Sequence, residues 1–355
     1  MTESAYIHIP FCKQKCNYCS FVSFPRLELK EQYLQALKKE IKHHYQGETL
    51  KTIYFGGGTP SLLSVDELKK LLELFNFDKQ TEITAELNPE SLTQEYLCGL
   101  KEIGINRISI GCQTFDDNIL KIIGRKHKAK QVEDTVKWAK NAGFDNISLD
   151  FIYGLPNQTI YDFEQDLRHA VSLDIQHISL YGLKIDSGCY FYKNPPENLP
   201  NEDDQADMYL KAVDVLKNFE HYEISNFGKP SKHNLNYWNN ENYYGFGIAA
   251  HGYINKVRYS NYENFQDYFL NPIKHYKEHT LTQQEILEEE IFLGFRKMKG
   301  INIQTINDKF DIDFEKKYSK ILEKYNDFLT KTTDGYAFNT KGILISNFIL
   351  SEFID

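Results

Sequence analysis

Short apolar, β-branched runs alternate with longer stretches of helical period over the first two thirds of the chain. The runs AYIHI, TIYFGG, EITAELN, RISIGC, NISLDFIYG and HISLYGL predict six strands. Between the second and third, Leu68, Leu71, Leu72 and Phe75 recur at i, i+3, i+4 and i+7, the stripe of a helix that buries one face. Ser64 is placed to cap that helix, and Glu67 to close a capping box with it. Six strand–helix units in a row predict a parallel sheet wrapped by helices, either an open doubly wound sheet or a curved barrel.

The same alternation places the polar residues. Cys12, Cys16 and Cys19 follow the first strand and Gly56 to Thr59 the second; Glu86 and Asn88 end the third. Gln113 follows the fourth strand, and Asp150 lies with Tyr153 in the fifth. Parallel α/β sheets work at the carboxyl ends of their strands, so these groups are expected to converge.

The pattern changes after the sixth strand. KNPPENLPNEDDQ is polar and proline-rich and predicts a linker or surface loop, leading to a helix near Ala206 to Phe219. The last segment opens with a charged amphipathic helix, TQQEILEEEIFLGFRKMKG. Its Ile286, Ile291, Leu293 and Phe295 make no single narrow stripe, so it is expected to pack on more than one partner. Short strands are expected in GYAFNTKGILIS, completing a small α+β unit. The organisation read from this is a barrel domain over 1–228, a connecting region over 229–280 and a C-terminal α+β domain over 281–355.

Charge and compartment narrow the chemistry. A net charge of -9 and a pI near 5.7 argue against a nucleic-acid binder, which needs basic surface to neutralise phosphates. The N-terminus lacks the basic-then-apolar pattern of a signal peptide, and no run of 18 apolar residues offers a membrane span. A cytoplasmic location is expected, where clustered cysteines mean metal or catalysis and not disulfides.

Three of the six cysteines fall within HIPFCKQKCNYCSF, and no second pair follows, since Cys98, Cys112 and Cys189 are isolated and read as small buried residues. A structural zinc site wants four ligands. Three thiolates on an iron–sulfur cube leave one iron open, able to chelate S-adenosylmethionine, a source of radical chemistry.

The CxxxCxxC spacing, with Tyr18 directly before the last cysteine, resembles the radical S-adenosylmethionine superfamily. YIHIPFC, GGGTP and DFIYGLPNQT narrow the resemblance to the branch that holds the oxygen-independent coproporphyrinogen dehydrogenases (HemN) and the heme chaperones (HemW); it runs from Tyr6 into the C-terminal region. It implies a partial (β/α)6 barrel with the cluster loop after the first strand, and a smaller, winged-helix-like C-terminal α+β domain. It also implies a [4Fe–4S] cluster on Cys12, Cys16 and Cys19. S-adenosylmethionine contacts are implied at Tyr6, Tyr18, Gly57, Gly58, Thr59, Glu86, Gln113, Arg125 and Asp150. The glycines also suit a bare strand-to-helix turn, and an isolated Arg or Asp is usually a solvated charge.

Two features separate catalyst from carrier. The dehydrogenase motif continues with a cysteine where this chain has Phe21, and it carries an N-terminal extension, whereas the first strand here begins near Ala5. HNLNYW, with His233, Asn234, Tyr237 and Trp238, matches the HNxxYW signature of the heme chaperones. A neutral imidazole suits heme iron, and Tyr237, Trp238, Tyr243, Tyr244 and Phe246 offer flat apolar surface. His251 and Tyr253 are nearby candidates, although a histidine among aromatics also reads as a satisfied core residue.

The resemblance therefore implies a heme chaperone that binds heme through His233 and delivers it to acceptors such as membrane respiratory enzymes, in a homodimer linked at the cluster. The alternative is a coproporphyrinogen III dehydrogenase that oxidatively decarboxylates its substrate through radical chemistry. A radical enzyme acting on RNA would need a basic groove that the charge does not suggest.

Overall fold

The computed structural model describes residues 2–354. Six parallel strands lie side by side in chain order: β1 (Ser4–Ile9), β2 (Thr49–Gly57), β3 (Asn76–Leu87), β4 (Arg107–Gln113), β5 (Ile147–Tyr153) and β6 (His177–Gly182). Because crossovers between parallel strands are right-handed, an unreversed order puts every connecting helix on one face. That order excludes the doubly wound alternative and curls the sheet as a partial barrel.

The connecting helices are α1 (Lys30–His44), α2 (Val65–Leu72), α3 (Gln94–Glu102), α4 (Asp117–Ile122), α5 (Ala129–Asn141) and α6 (Ile160–Ser172). The capping box expected for α2 forms: Glu67 N donates to Ser64 Oγ at 3.2 Å, and Ser64 N to Glu67 Oε2 at 2.7 Å. The strands alternate: Ile7, Phe55, Ile108, Leu149 and Ile178 are buried in one core beneath the helices, whereas the residues between them, among them Glu86, Ser109 and Asp150, face the other side and line a cavity.

The sheet has nine strands, not six. Beyond β6 come β7 (His221–Glu223) and β8 (Asn226–Gly228), with β8 antiparallel to β6; beyond β1 comes β9 (Tyr244–Phe246), parallel to it. The segment 229–280 is knit into the barrel, with Tyr244, Phe246, Ile248, Phe265 and Tyr268 in the barrel's own core. Glu40 of α1 fastens it, accepting from Gly247 N at 2.9 Å, Asn261 Nδ2 at 2.6 Å and the Tyr268 hydroxyl.

Three further helices matter for the site: α7 (Tyr190–Lys193), α8 (Glu202–Val215) and α9 (Lys232–Trp238). A second core, with Leu287, Ile291, Phe295, Phe314 and Phe353, holds the C-terminal domain and takes in Tyr209 from α8. The helix Gln283–Gly294 serves two partners, burying Ile286 against Tyr253 and Leu281 while Leu287 and Ile291 enter the second core. A three-stranded antiparallel sheet (Ile301–Asn302, Gly335–Phe338, Leu329–Lys331) completes the domain. The strand expected in GILIS is instead the helix Thr340–Leu344, because Asn339 caps it by accepting from Gly342 N at 3.0 Å. Among the described residues no helix is long and apolar enough to cross a membrane.

Candidate functional site

The cysteine loop leaves β1 and is pegged at both ends. Phe24 N donates to Pro10 O at 2.8 Å and Cys12 N to Phe24 O at 3.1 Å, closing the loop on itself. Beneath it lies His8, whose Nδ1 accepts from Tyr6 Oη at 3.0 Å, so that Nε2–H can donate to Val22 O at 2.9 Å. Burial lowers this histidine to about 4 and keeps it neutral. Gly57 allows the arrangement: its backbone is left-handed at φ +108°, and a Cβ there would stand 2.5 Å from the His8 ring.

Cys12, Cys16 and Cys19 are half-buried free thiols. Cys12 Sγ lies 3.4 Å from Thr59 Oγ1, and Arg125 Nη1 lies 3.8 Å from Cys16 Sγ. Burial pushes the Cys19 thiol up to about 11, and the neighbouring Cys16 and Cys12 add to the cost of ionising it. Thiols bind metal as thiolates, so loading this loop would release protons. Among the described residues, no three His, Cys, Asp or Glu side chains are gathered tightly enough to ligate one metal ion. A polynuclear cluster asks for a wider spread, and a soft set of three thiols fits iron–sulfur chemistry better than a closed zinc site.

Beside the loop, at the carboxyl ends of β2 to β6, is a cavity of about 390 Å³. Tyr18, Gly58, Thr59, Glu86, Gln113, Arg125 and Asp150 line it together. Tyr6 and Gly57 do not; they stand behind the lining, Tyr6 stacked on Tyr54 at 6.0 Å and Gly57 donating its N–H to Glu86 Oε2 at 3.1 Å.

Each charged group has a built position. Glu86 also accepts from Tyr54 Oη at 2.9 Å; burial raises its carboxyl to about 7, against the pull of that hydrogen bond. Asp150 accepts from Ser109 Oγ at 2.9 Å and from Ser148 Oγ at 3.3 Å, and burial raises it as well. Arg125 donates to Asn88 Oδ1 at 2.9 Å and to Gly111 O at 2.7 Å, which aims its other nitrogen at the cluster loop. Gln113 sits at φ +69°, where the β4–β5 register shifts, and this irregularity turns its side chain toward the cavity.

Arg107 escaped the sequence reading. It is 1% exposed, lines the cavity from the start of β4, and its Nε has no partner among the described residues. Nothing local marks it, because its surroundings of Glu82, Tyr54 and Asp150 come from other strands.

The HNxxYW segment is α9, capped by Ser231 and seated on the buried Glu82, which accepts from Lys232 N and His233 N, both at 3.1 Å. Asn234, not His233, lines the cavity. The His233 ring packs on Tyr54 at 4.9 Å, with Nδ1 2.7 Å from Thr52 Oγ1 and Nε2 2.7 Å from Tyr237 Oη. Burial lowers it to about 3, and nearby Arg107 adds to the effect, so it is neutral with both nitrogens engaged. Trp238 lies under the Arg296 guanidinium at 4.4 Å, joining the segment to the C-terminal domain. Tyr244 and Phe246 are buried in β9, while His251 begins the next strand and is exposed.

Comparison with known proteins places the chain in a family. The radical SAM superfamily profile matches residues 6–170, and that of the HemN C-terminal domain residues 281–344. The heme chaperone HemW of Lactococcus lactis is 39% identical over 99% of this chain and 97% of its own. The heme chaperone HemW of Bacillus subtilis is 37% identical over 99% of each. The structure of coproporphyrinogen III oxidase (HemN) from Escherichia coli superposes with a TM-score of 0.88 over 99% of this chain and 90% of that one; at 21% identity this is a likeness of fold. With its three-thiol loop, its strand-end cavity and full-length similarity to these relatives, the chain belongs to the HemW family of the radical S-adenosylmethionine superfamily.

Proposed function

We propose that the chain is a cytoplasmic heme chaperone, which binds heme and passes it to acceptor proteins such as the heme enzymes of respiratory membranes. Full-length similarity to relatives named heme chaperones carries this reading. The exposed Phe21 at the cavity mouth, where the dehydrogenase motif continues with a cysteine, supports it.

Cys12, Cys16 and Cys19 would hold a [4Fe–4S] cluster. When bound, that cluster supplies an open iron able to chelate S-adenosylmethionine. The chain's own residues prepare the cavity for such a ligand. Glu86 offers a carboxylate to an amino group, Arg125 offsets thiolate charge at Cys16, and Gln113 and Asp150 offer hydrogen-bonding groups from the next strand ends. Tyr18, Gly58 and Thr59 wall the side toward the loop, and Tyr6 and Gly57 support it from behind. His233 can ligate heme iron through Nε2 only after the Tyr237 hydroxyl leaves it.

The dehydrogenase remains the second reading, because the cavity groups implied for S-adenosylmethionine are assembled together. One pair of experiments separates the two. The reconstituted protein should bind heme stoichiometrically, with a Soret band that shifts in His233→Ala, and should leave coproporphyrinogen III unchanged under anaerobic conditions with S-adenosylmethionine. Conversion to protoporphyrinogen without heme binding would reverse the choice.

A further inference from the structure

The cavity mouth and the segment tied to the cluster loop carry aromatic side chains that the fold leaves uncovered. Phe21 and Tyr181 line the cavity and are 68% and 47% exposed; Tyr190 and Tyr192 of α7 are each 57% exposed. The helix α7 does not line the cavity; it is tied to the cluster loop beside it, where Phe191 N donates to Asn17 O at 2.9 Å. Phe191 itself is buried with Ile152 and Leu155, against Tyr18. It anchors the turn and leaves its two neighbours standing outward. Burying large aromatic faces is the ordinary use of such residues, so a group of them around a cavity marks a docking surface.

The charges beside the rim indicate what docks. Lys184 is paired with Asp186 at 3.1 Å, and Lys13 with Glu90 at 3.8 Å. Lys15 and Lys193 are exposed and form no ion pair with a carboxylate among the described residues. Two free cations next to flat apolar faces, on a chain of net charge -9, complement a planar anion bearing two carboxylates.

We propose that heme docks on the outer rim of the cavity, its ring against Phe21, Tyr181, Tyr190 and Tyr192 and its propionates toward Lys15 and Lys193. The proposal rests on heme binding as read above, not on His233 as the iron ligand, since His233 is 1% exposed and does not line the cavity. It places the porphyrin beside the cluster loop, on the side of the barrel where Asn234 of the HNxxYW helix also reaches the cavity.

The test is heme titration of the reconstituted full-length protein, followed by absorption, in wild type, Phe21→Ala and Tyr190→Ala/Tyr192→Ala. Tyr161→Ala, at an aromatic 68% exposed on α6, serves as the control. Removing the rim faces should raise the Kd for heme about tenfold, and the control should leave it unchanged. Lys15→Glu/Lys193→Glu should weaken heme but not its dimethyl ester, which lacks the carboxylates. If the wild type binds heme and all rim variants bind it equally well, the docking surface is wrong while the heme reading stands. If they keep heme but lose a dimer, the rim is a contact between two copies and the proposal fails. A wild type that binds no heme overturns the heme reading itself.

Discussion

Glu86 ties one residue's environment to a measurable ligand response. Its carboxyl is raised to about 7 by burial, so in the free site it is largely neutral below neutral pH. A ligand ammonium needs the ionised form. Affinity for S-adenosylmethionine is therefore expected to fall as pH drops through 7, approaching about tenfold per unit, and to be weak and flat in Glu86→Gln. Isothermal titration at several pH values checks this; an affinity constant from about pH 6 to 8 would contradict it. Glu86, Gln113, Arg125 and Asp150 could be read as neighbours because parallel strands end on one face, which turns distant sequence positions into adjacent ones. His233 and Asn234 show the limit. Adjacent helical residues point about 100° apart, so one enters the core and the other the cavity, and the motif alone does not say which.

The cluster loop is positioned by elements on either side of it. His8 on β1 holds Val22 O, and Gly57 at the end of β2 leaves room for the ring. Gly57→Ala meets both a left-handed backbone and a Cβ contact at 2.5 Å. A loss of about 1–3 kcal/mol in stability and a lower iron content after reconstitution are expected. Wild-type thermal unfolding together with full iron loading would refute this account of the loop. The six long strands were legible from their apolar runs, whereas β7, β8 and β9 were not, because three residues are too few to show a period of two. What makes β9 a strand is its pairing with β1 at Ala5↔Tyr244 and Ile7↔Phe246, a tertiary fact with no local signal. The misread GILIS strand has the opposite cause: β-branched residues suggested a strand, and the Asn339 cap decided for a helix.

At the scale of the whole molecule, Glu40 couples α1 to the segment that completes the barrel. Burial raises it to about 7, while its hydrogen bonds from Tyr268, Gly247 and Asn261 pull the other way. Between the unfolded carboxyl's pKa and 7 the folded state holds a proton that the unfolded chain has lost, so stability falls as pH rises through that window. The contribution is on the order of 3 kcal/mol, and Glu40→Gln should flatten that part of the profile. Chemical denaturation at about pH 5 and pH 8 measures it, and an unchanged slope in the variant would show that Glu40 is not the group responsible.

The central claim, a carrier built on a radical S-adenosylmethionine scaffold, is tested most directly by transfer. Heme-loaded protein is mixed with membranes whose respiratory oxidase has been stripped of heme, and the donor Soret band and oxidase activity are followed together. The account predicts that heme leaves the chain and activity returns at a matching rate. Heme that stays on the chain while the oxidase remains inactive would contradict it.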